Sequence, residues 1–123
     1  MKKVIQKPWG CEIIWAETEN YVSKLIKIKK GHRLSLQYHE KKEETIYVLE
    51  GYLYVWESED DNSYIRLKRG ETYHVPPGKI HRFGSINKGN HSTVLDQEIG
   101  CTIMEVSTPE LDDVVRISDD YKR

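Results

Sequence analysis

Residues 31–44 read Gly31-His-Arg-Leu-Ser-Leu-Gln37-Tyr-His39-Glu-Lys-Lys-Glu-Glu44, and they are answered further on by Gly70 and by Pro76-Pro-Gly78-Lys-Ile-His81. Successive side chains on a strand point to opposite faces, so Ser35, Gln37 and His39 share one face while Leu34, Leu36 and Tyr38 share the other. Gln37 and His39 can then reach one point. Glu44 opens the run Thr45-Ile-Tyr-Val-Leu-Glu50. Gly51 offers the permissive backbone for a tight hairpin into Tyr52-Leu-Tyr-Val-Trp56, which would fold Glu44 back toward that face. In the second block a Pro-Pro-Gly turn delivers His81 into a strand over residues 80–86. Gln37, His39, Glu44 and His81 together offer an amide oxygen, a carboxylate and two imidazoles. That donor set suits a borderline divalent cation such as zinc, manganese, iron or nickel.

Around these blocks the chain is a series of short β-type runs separated by Gly, Asn, Asp and Pro signals, with almost nothing at helical spacing. Strands are expected over residues 12–15, 21–29, 34–39, 45–57, 63–68, 71–75, 80–86, 93–99 and 102–107. The pattern predicts an all-β sandwich or barrel. The cluster at 57–62 and the run Asn87-Lys-Gly-Asn90 read as exposed turns. Residues 109–123 form a polar tail whose one apolar patch, Val114-Val-Arg-Ile117, can add an edge strand. No repeat, linker or glycine-rich nucleotide loop is found, which leaves one domain over residues 1–123.

Composition narrows the class. A chain of 123 residues with 37% hydrophobic and 32% charged residues has room for one core. The net charge of −1 gives no overall attraction to nucleic acid or an acidic membrane. No apolar run approaches the roughly 18 residues of a membrane span, and the polar start Met1-Lys-Lys lacks a signal-peptide core. A cytoplasmic protein is expected, with Cys11 and Cys101 as free thiols.

Other residues divide between structural and functional readings. His32, His74 and His91 read as surface or structural histidines. Pro8-Trp9-Gly10 reads as a packing and turn element, and Tyr47, Tyr52, Tyr54 and Trp56 as strand packing. Lys24 shares its parity with Val22, Ile26 and Ile28, so it points inward with them. A buried lysine is costly unless it meets an anion, and it either snorkels at the barrel mouth or holds a phosphate or moves a proton. Arg33 and Lys42 flank the ligand motif and are candidate phosphate clamps. Arg82 has the opposite parity to His81, which favours a surface or subunit-interface role. Glu105 can point either way.

The two blocks resemble the paired motifs of the cupin superfamily, with Gln37 where most members have the first His. The resemblance is strongest to the cupin domain of type II mannose-6-phosphate isomerases, often fused behind a mannose-1-phosphate guanylyltransferase. It is carried by Lys7-Pro-Trp-Gly10, Arg33-Leu-Ser-Leu-Gln37-Tyr-His39, Pro77-Gly-Lys-Ile-His81-Arg82, Asp112-Asp-Val-Val-Arg116 and Asp120-Tyr121. That family usually has Arg at the position of Lys42 and Trp at that of Ile46. The resemblance implies a double-stranded β-helix, or jelly-roll barrel, and a metal such as zinc held by Gln37, His39, Glu44 and His81. It also implies interconversion of mannose 6-phosphate and fructose 6-phosphate.

Such an isomerisation passes through an enediolate, which a Lewis-acidic metal stabilises while a base moves a proton between adjacent carbons. Lys24, Glu105 or a hydroxide on the metal are the candidate bases. A non-catalytic cupin that binds a sugar or sugar phosphate is the alternative. A dioxygenase fits less well because its His-rich iron site is unmatched, and a nucleotide-sugar epimerase less well because that chemistry relies on a His–Asp pair. Exposed edge strands favour a homodimer.

Overall fold

The structure is a computed structural model that describes residues 2–86 and 98–122. Among these residues eleven strands run in order: β1 (Lys3–Lys7), β2 (Gly10–Glu17), β3 (Val22–Lys29), β4 (Leu36–Tyr38), β5 (Glu44–Gly51), β6 (Leu53–Trp56), β7 (Tyr64–Leu67), β8 (Thr72–Val75), β9 (Arg82–Gly84), β10 (Ile99–Ser107) and β11 (Val115–Ser118). There is no helix among the described residues, and so none long and apolar enough to cross a membrane. The all-β expectation holds.

One layer is a six-stranded antiparallel sheet in the order β1-β2-β3-β10-β5-β8. The other joins β11-β4 to β7-β6-β9 through the bridges Gln37↔His81 and Arg33↔Gly84. Inward positions follow strand parity: Val22, Lys24, Ile26 and Ile28 on β3, Glu44, Ile46 and Val48 on β5, and Cys101, Ile103, Glu105 and Ser107 on β10 are all buried. The apolar members other than Val22 meet Trp9, Leu34, Leu53, Val55, Val75 and Phe83 in a single core cluster. The charged members gather at one end of the space between the layers, so the core fills most of the sandwich and leaves a polar cavity at that end.

The fold departs from the sequence reading in several places. Gly51 does not close a hairpin: β5 pairs with β10 and β8, whereas β6 pairs with β7 and β9 in the opposite layer. Gly51 instead carries the chain across the sandwich with φ of 74°, and a Cβ there would sit 2.2 Å from the Gly100 carbonyl oxygen. Glu44 therefore reaches the interior along the large sheet, between Ser107 and Val75, and not by folding back on β6. Residues 45–57 are thus two strands in two layers.

β1 was not expected from the sequence. It is largely exposed and gains its order from pairing with β2. The apolar patch of the tail does become an edge strand, β11, paired with β4. Cys11 and Cys101 are free thiols. The expected turn at 87–90, His91 and most of the strand at 93–99 lie outside the described residues. Only the end of that strand, Ile99, appears, as the start of β10.

Candidate metal and ligand site

The polar end of the sandwich holds a cavity of about 300 Å³, at the small end of the range for ligand pockets. Its inner wall carries Glu12, Lys24, Gln37, His39, Lys42, Glu44, His81 and Glu105, with Trp9, Ile26, Leu34 and Phe83 as apolar lining. Lys7, Ser35, Leu111, Asp112, Val114 and Arg116 complete it.

The second sequence block is shaped by its turn. Gly78, with φ of 85°, lets the chain turn after the two prolines, and its N–H donates to the His39 carbonyl at 2.7 Å. The backbones of Gln37 and His81 then exchange both hydrogen bonds, at 3.0 and 2.9 Å. That direct cross-strand pairing sets the two residues side by side. His39, Glu44 and His81 are all buried, and their ligand atoms lie within 4.8 Å of one another.

Both imidazoles are held from behind. His39 Nδ1 donates to the Asp113 carbonyl at 2.6 Å, and His81 Nδ1 donates to the Lys79 carbonyl at 2.9 Å. In the neutral rings this turns each Nε2 lone pair away from its carbonyl, the arrangement by which backbone groups orient metal-ligating histidines. Burial pushes the His81 imidazolium down to about 4, so that ring is neutral at ordinary pH.

His39 Nε2 lies 2.9 Å from Glu44 Oε1, yet it is a buried nitrogen without a hydrogen bond. With Nδ1 donating to its carbonyl, a neutral His39 sets two acceptors face to face at that distance, which a proton on Nε2 or a metal ion between them resolves. Two imidazoles, a carboxylate and an amide oxygen gathered at one end of the cavity are a donor set that fits a metal ion.

Beside the ligand group lies a buried charge network. Lys42 Nζ stands 3.1 Å from Glu105 Oε2 and 3.6 Å from Glu44 Oε1, while Lys24 Nζ stands 3.1 Å from Glu12 Oε1 and 3.8 Å from Glu105 Oε2. Glu105 therefore points inward, which the sequence left open. The register explains the contact, since Glu105 is the direct cross-strand neighbour of Lys24.

Burial pushes Glu44 up, but contact with His39 and the Lys42 charge outweigh it and bring the carboxyl down to about 2. Glu105 moves the opposite way, raised by complete burial and then by the Glu44 charge. Burial lowers Lys42, but the charges of Glu105 and Glu44 more than offset that and hold its ammonium above the usual range. Two neighbouring carboxyls are thus shifted in opposite directions by their surroundings.

Of the residues expected at the site, Lys24, Gln37, His39, Lys42, Glu44, His81 and Glu105 share the cavity. Arg33 does not, which corrects its reading as a phosphate clamp. Its guanidinium donates to Asp120 at 2.6 and 3.0 Å and to Asp61 at 2.9 Å, and it lies over the Trp56 ring. It ties the C-terminal segment to the outside of the small layer. Arg82 is likewise no surface residue: it is 3% exposed and donates to the Leu34 and Ser118 carbonyls. His32 meets the Tyr121 hydroxyl at 2.7 Å, and exposed His74 pairs with Glu43.

The sequence reading missed Glu12, whose signal was its shared parity with buried Ile14 on β2. It also missed Asp113. That side chain accepts the backbone N–H groups of Glu40, Lys41 and Lys42 at 3.0, 2.7 and 2.9 Å. These bonds hold the Asp113 carboxyl down to about 2.

An antiparallel β-sandwich with a His–Glu–His group at its polar end defines the class: a double-stranded β-helix with a candidate metal centre. The chain belongs to the cupin family, because its residues 24–96 match the family's cupin domain. Solved structures agree on the fold. KdgF from Halomonas sp. is 19% identical with a TM-score of 0.66 over 89% of this chain and 90% of that one. Pac13, described as a unique nucleoside dehydratase and also solved from Streptomyces with uridine, is 15% identical with a TM-score of 0.69 over 96% of this chain and 86% of that one. A cupin-2 domain protein from Shewanella frigidimarina is 24% identical with a TM-score of 0.59 over 83% and 82%. At these identities the likeness concerns the fold alone. No curated protein matches the chain in sequence.

Proposed function

We propose that this cupin is a metal-dependent sugar-phosphate isomerase that interconverts mannose 6-phosphate and fructose 6-phosphate. The observation that carries the reading is the meeting of His39, Glu44 and His81 within 4.8 Å in a cavity whose wall also holds Glu105 between two lysines. Gln37, His39, Glu44 and His81 would hold a divalent cation such as zinc, which would supply Lewis acidity toward a carbonyl and its neighbouring hydroxyl.

The chain's own residues then account for the proton. Glu105, whose burial favours its protonated form, takes the proton from C2 of the open-chain aldose and returns it to C1, while the hydroxyl proton passes from O2 to O1. Lys42, held charged by the neighbouring carboxylates, and Lys24 on the other side of Glu105 offset the negative charge that develops on the substrate oxygens. Glu12 fixes Lys24 at 3.1 Å. Glu105 suits the base role better than Lys24, whose ammonium is already committed to two carboxylates. The sugar ligand is chosen because the lining mixes hydrogen-bonding groups with the aromatic side chains of Trp9 and Phe83.

Proton NMR of mannose 6-phosphate in deuterated water with zinc-loaded protein tests the reading. Loss of the C2 proton signal together with appearance of fructose 6-phosphate is expected. Bound zinc and bound sugar phosphate without exchange would replace the isomerase by a non-catalytic sugar-binding cupin.

A further inference from the structure

We infer that the phosphate of the substrate is held at the cavity rim by Lys7 and Arg116, and not by the arginine beside the ligand motif. This rests on the sugar-phosphate reading above and names the subsite that reading leaves unassigned.

The inference comes from asking which cations near the cavity are still free to meet an anion. Lys24 and Lys42 are 7% and 4% exposed, and each lies within 4 Å of two carboxylates. Arg33 is saturated by Asp120 and Asp61 outside the cavity, and Arg82 is spent on two backbone carbonyls and Asp120. Lys7, at the end of β1, and Arg116, in β11, line the cavity, and neither has a carboxylate within 4 Å among the described residues.

Their placement suits the shape of a sugar phosphate. The candidate metal ligands are buried, whereas Lys7 is half-buried and Arg116 exposed on the wall of the same cavity. Arg116 stands directly across from Gln37 in the β11–β4 register, so it is one strand from the inner site. A hexose chain entering carbonyl-first would leave its far-end phosphate at these two side chains. Arginine offers a fork for two phosphate oxygens, and lysine adds a mobile point charge.

Charge balance agrees. The lining carries four cations, Lys7, Lys24, Lys42 and Arg116, against the carboxylates of Glu12, Glu44, Glu105 and Asp112. Asp112 lies on the same rim, so the two cations there face one carboxylate. A divalent ion at the inner site would leave the lined cavity with two excess positive charges. A phosphate monoester, which carries about −1.5 to −2 at pH 7, matches that excess.

Binding of fructose 6-phosphate and of fructose to the zinc-loaded protein, each by calorimetry, tests the inference. Wild type is expected to prefer the phosphorylated sugar, and K7M and R116Q are each expected to lower that preference about tenfold or more, the scale of a lost charge-assisted contact. Zinc content should stay at the wild-type level, and in the exchange assay KM for mannose 6-phosphate should rise with much less change in kcat. R33Q should lower the melting temperature and leave the preference untouched. An intact preference in the K7M/R116Q double variant, or its loss in R33Q, overturns the inference, as does a wild type that binds both sugars equally. The binding comparison decides the subsite even if no isomerisation is seen, so it is separable from the catalytic reading.

Discussion

Two clusters of paired cations and carboxylates stand on either side of the small layer, and they are built to different ends. Outside, Arg33, Arg82, Asp61 and Asp120 clasp the C-terminal segment, and the Arg33 guanidinium has an acceptor on each of its nitrogens. Inside, Lys24, Lys42, Glu12, Glu44 and Glu105 are packed as tightly around the His39–Glu44–His81 group, where His39 Nε2 faces only the Glu44 carboxylate, at 2.9 Å. Buried polar groups in a purely structural cluster find partners, because an unpaired one costs about 1–3 kcal/mol. The contrast supports the proposal that the inner cluster takes up a cation from outside the chain, while the outer one is complete already.

Substitutions in the two clusters should break in different ways. The largest effect is expected from H39A or H81A, which remove an inner ligand. Each should abolish stoichiometric zinc binding and lower isomerisation by about a thousandfold or more, the rate contribution of the bound ion. Metal analysis after dialysis and the deuterium-exchange assay read both. Next is E105Q, which keeps the shape of the inner wall but cannot carry a proton. Its kcat should fall by about 10²–10⁴-fold with zinc content unchanged.

D113A joins the two regions, since the C-terminal segment that the outer cluster holds down also orients His39 through the Asp113 carbonyl and caps the loop at 40–42 through the Asp113 side chain. Zinc affinity should weaken by about 10–100-fold, as it does for lost outer-sphere support, and competition with a chromophoric chelator will show it. R33A should do the reverse: unfolding should become easier by about 1–3 kcal/mol, read by denaturant titration, with KM unchanged.

The smallest effect concerns Cys101, whose thiol burial pushes up to about 12. In the native protein at pH 8 Cys11, which is half-buried, should alkylate well before Cys101. The raised value also means that Cys101 favours the fold below the ordinary thiol range near 9. That contribution is lost as pH rises from 9 toward 12, where the unfolded chain releases the proton first.

The inner cluster was more legible in the sequence than the outer one, for a physical reason. Period-two alternation on a strand fixes which side chains point inward, and it placed Lys24 beside Ile26 and Ile28 and put Gln37 with His39. The Pro-Pro-Gly turn likewise marked where His81 enters. Alternation does not say which strands become neighbours, so Gly51 read as a hairpin although it crosses between layers. For the same reason Glu105 could not be oriented without its partner β3. Arg33 shows a second limit. Its spacing from Gln37 and His39 suited a phosphate clamp, but Asp120 claims it from 87 residues away, and sequence spacing carries no record of such a contact. Glu12 was readable by parity, and was missed because a lone acidic residue on a strand looks like a solvated one.

The most direct measurement is anomalous diffraction from crystals of the protein grown with zinc. One ion bonded to the Nε2 atoms of His39 and His81 and to the Glu44 carboxylate, with the Gln37 amide oxygen as a fourth protein ligand, is the predicted result. Zinc absent from that position in fully loaded protein, with His39 Nε2 hydrogen-bonded inside the chain, would contradict the account.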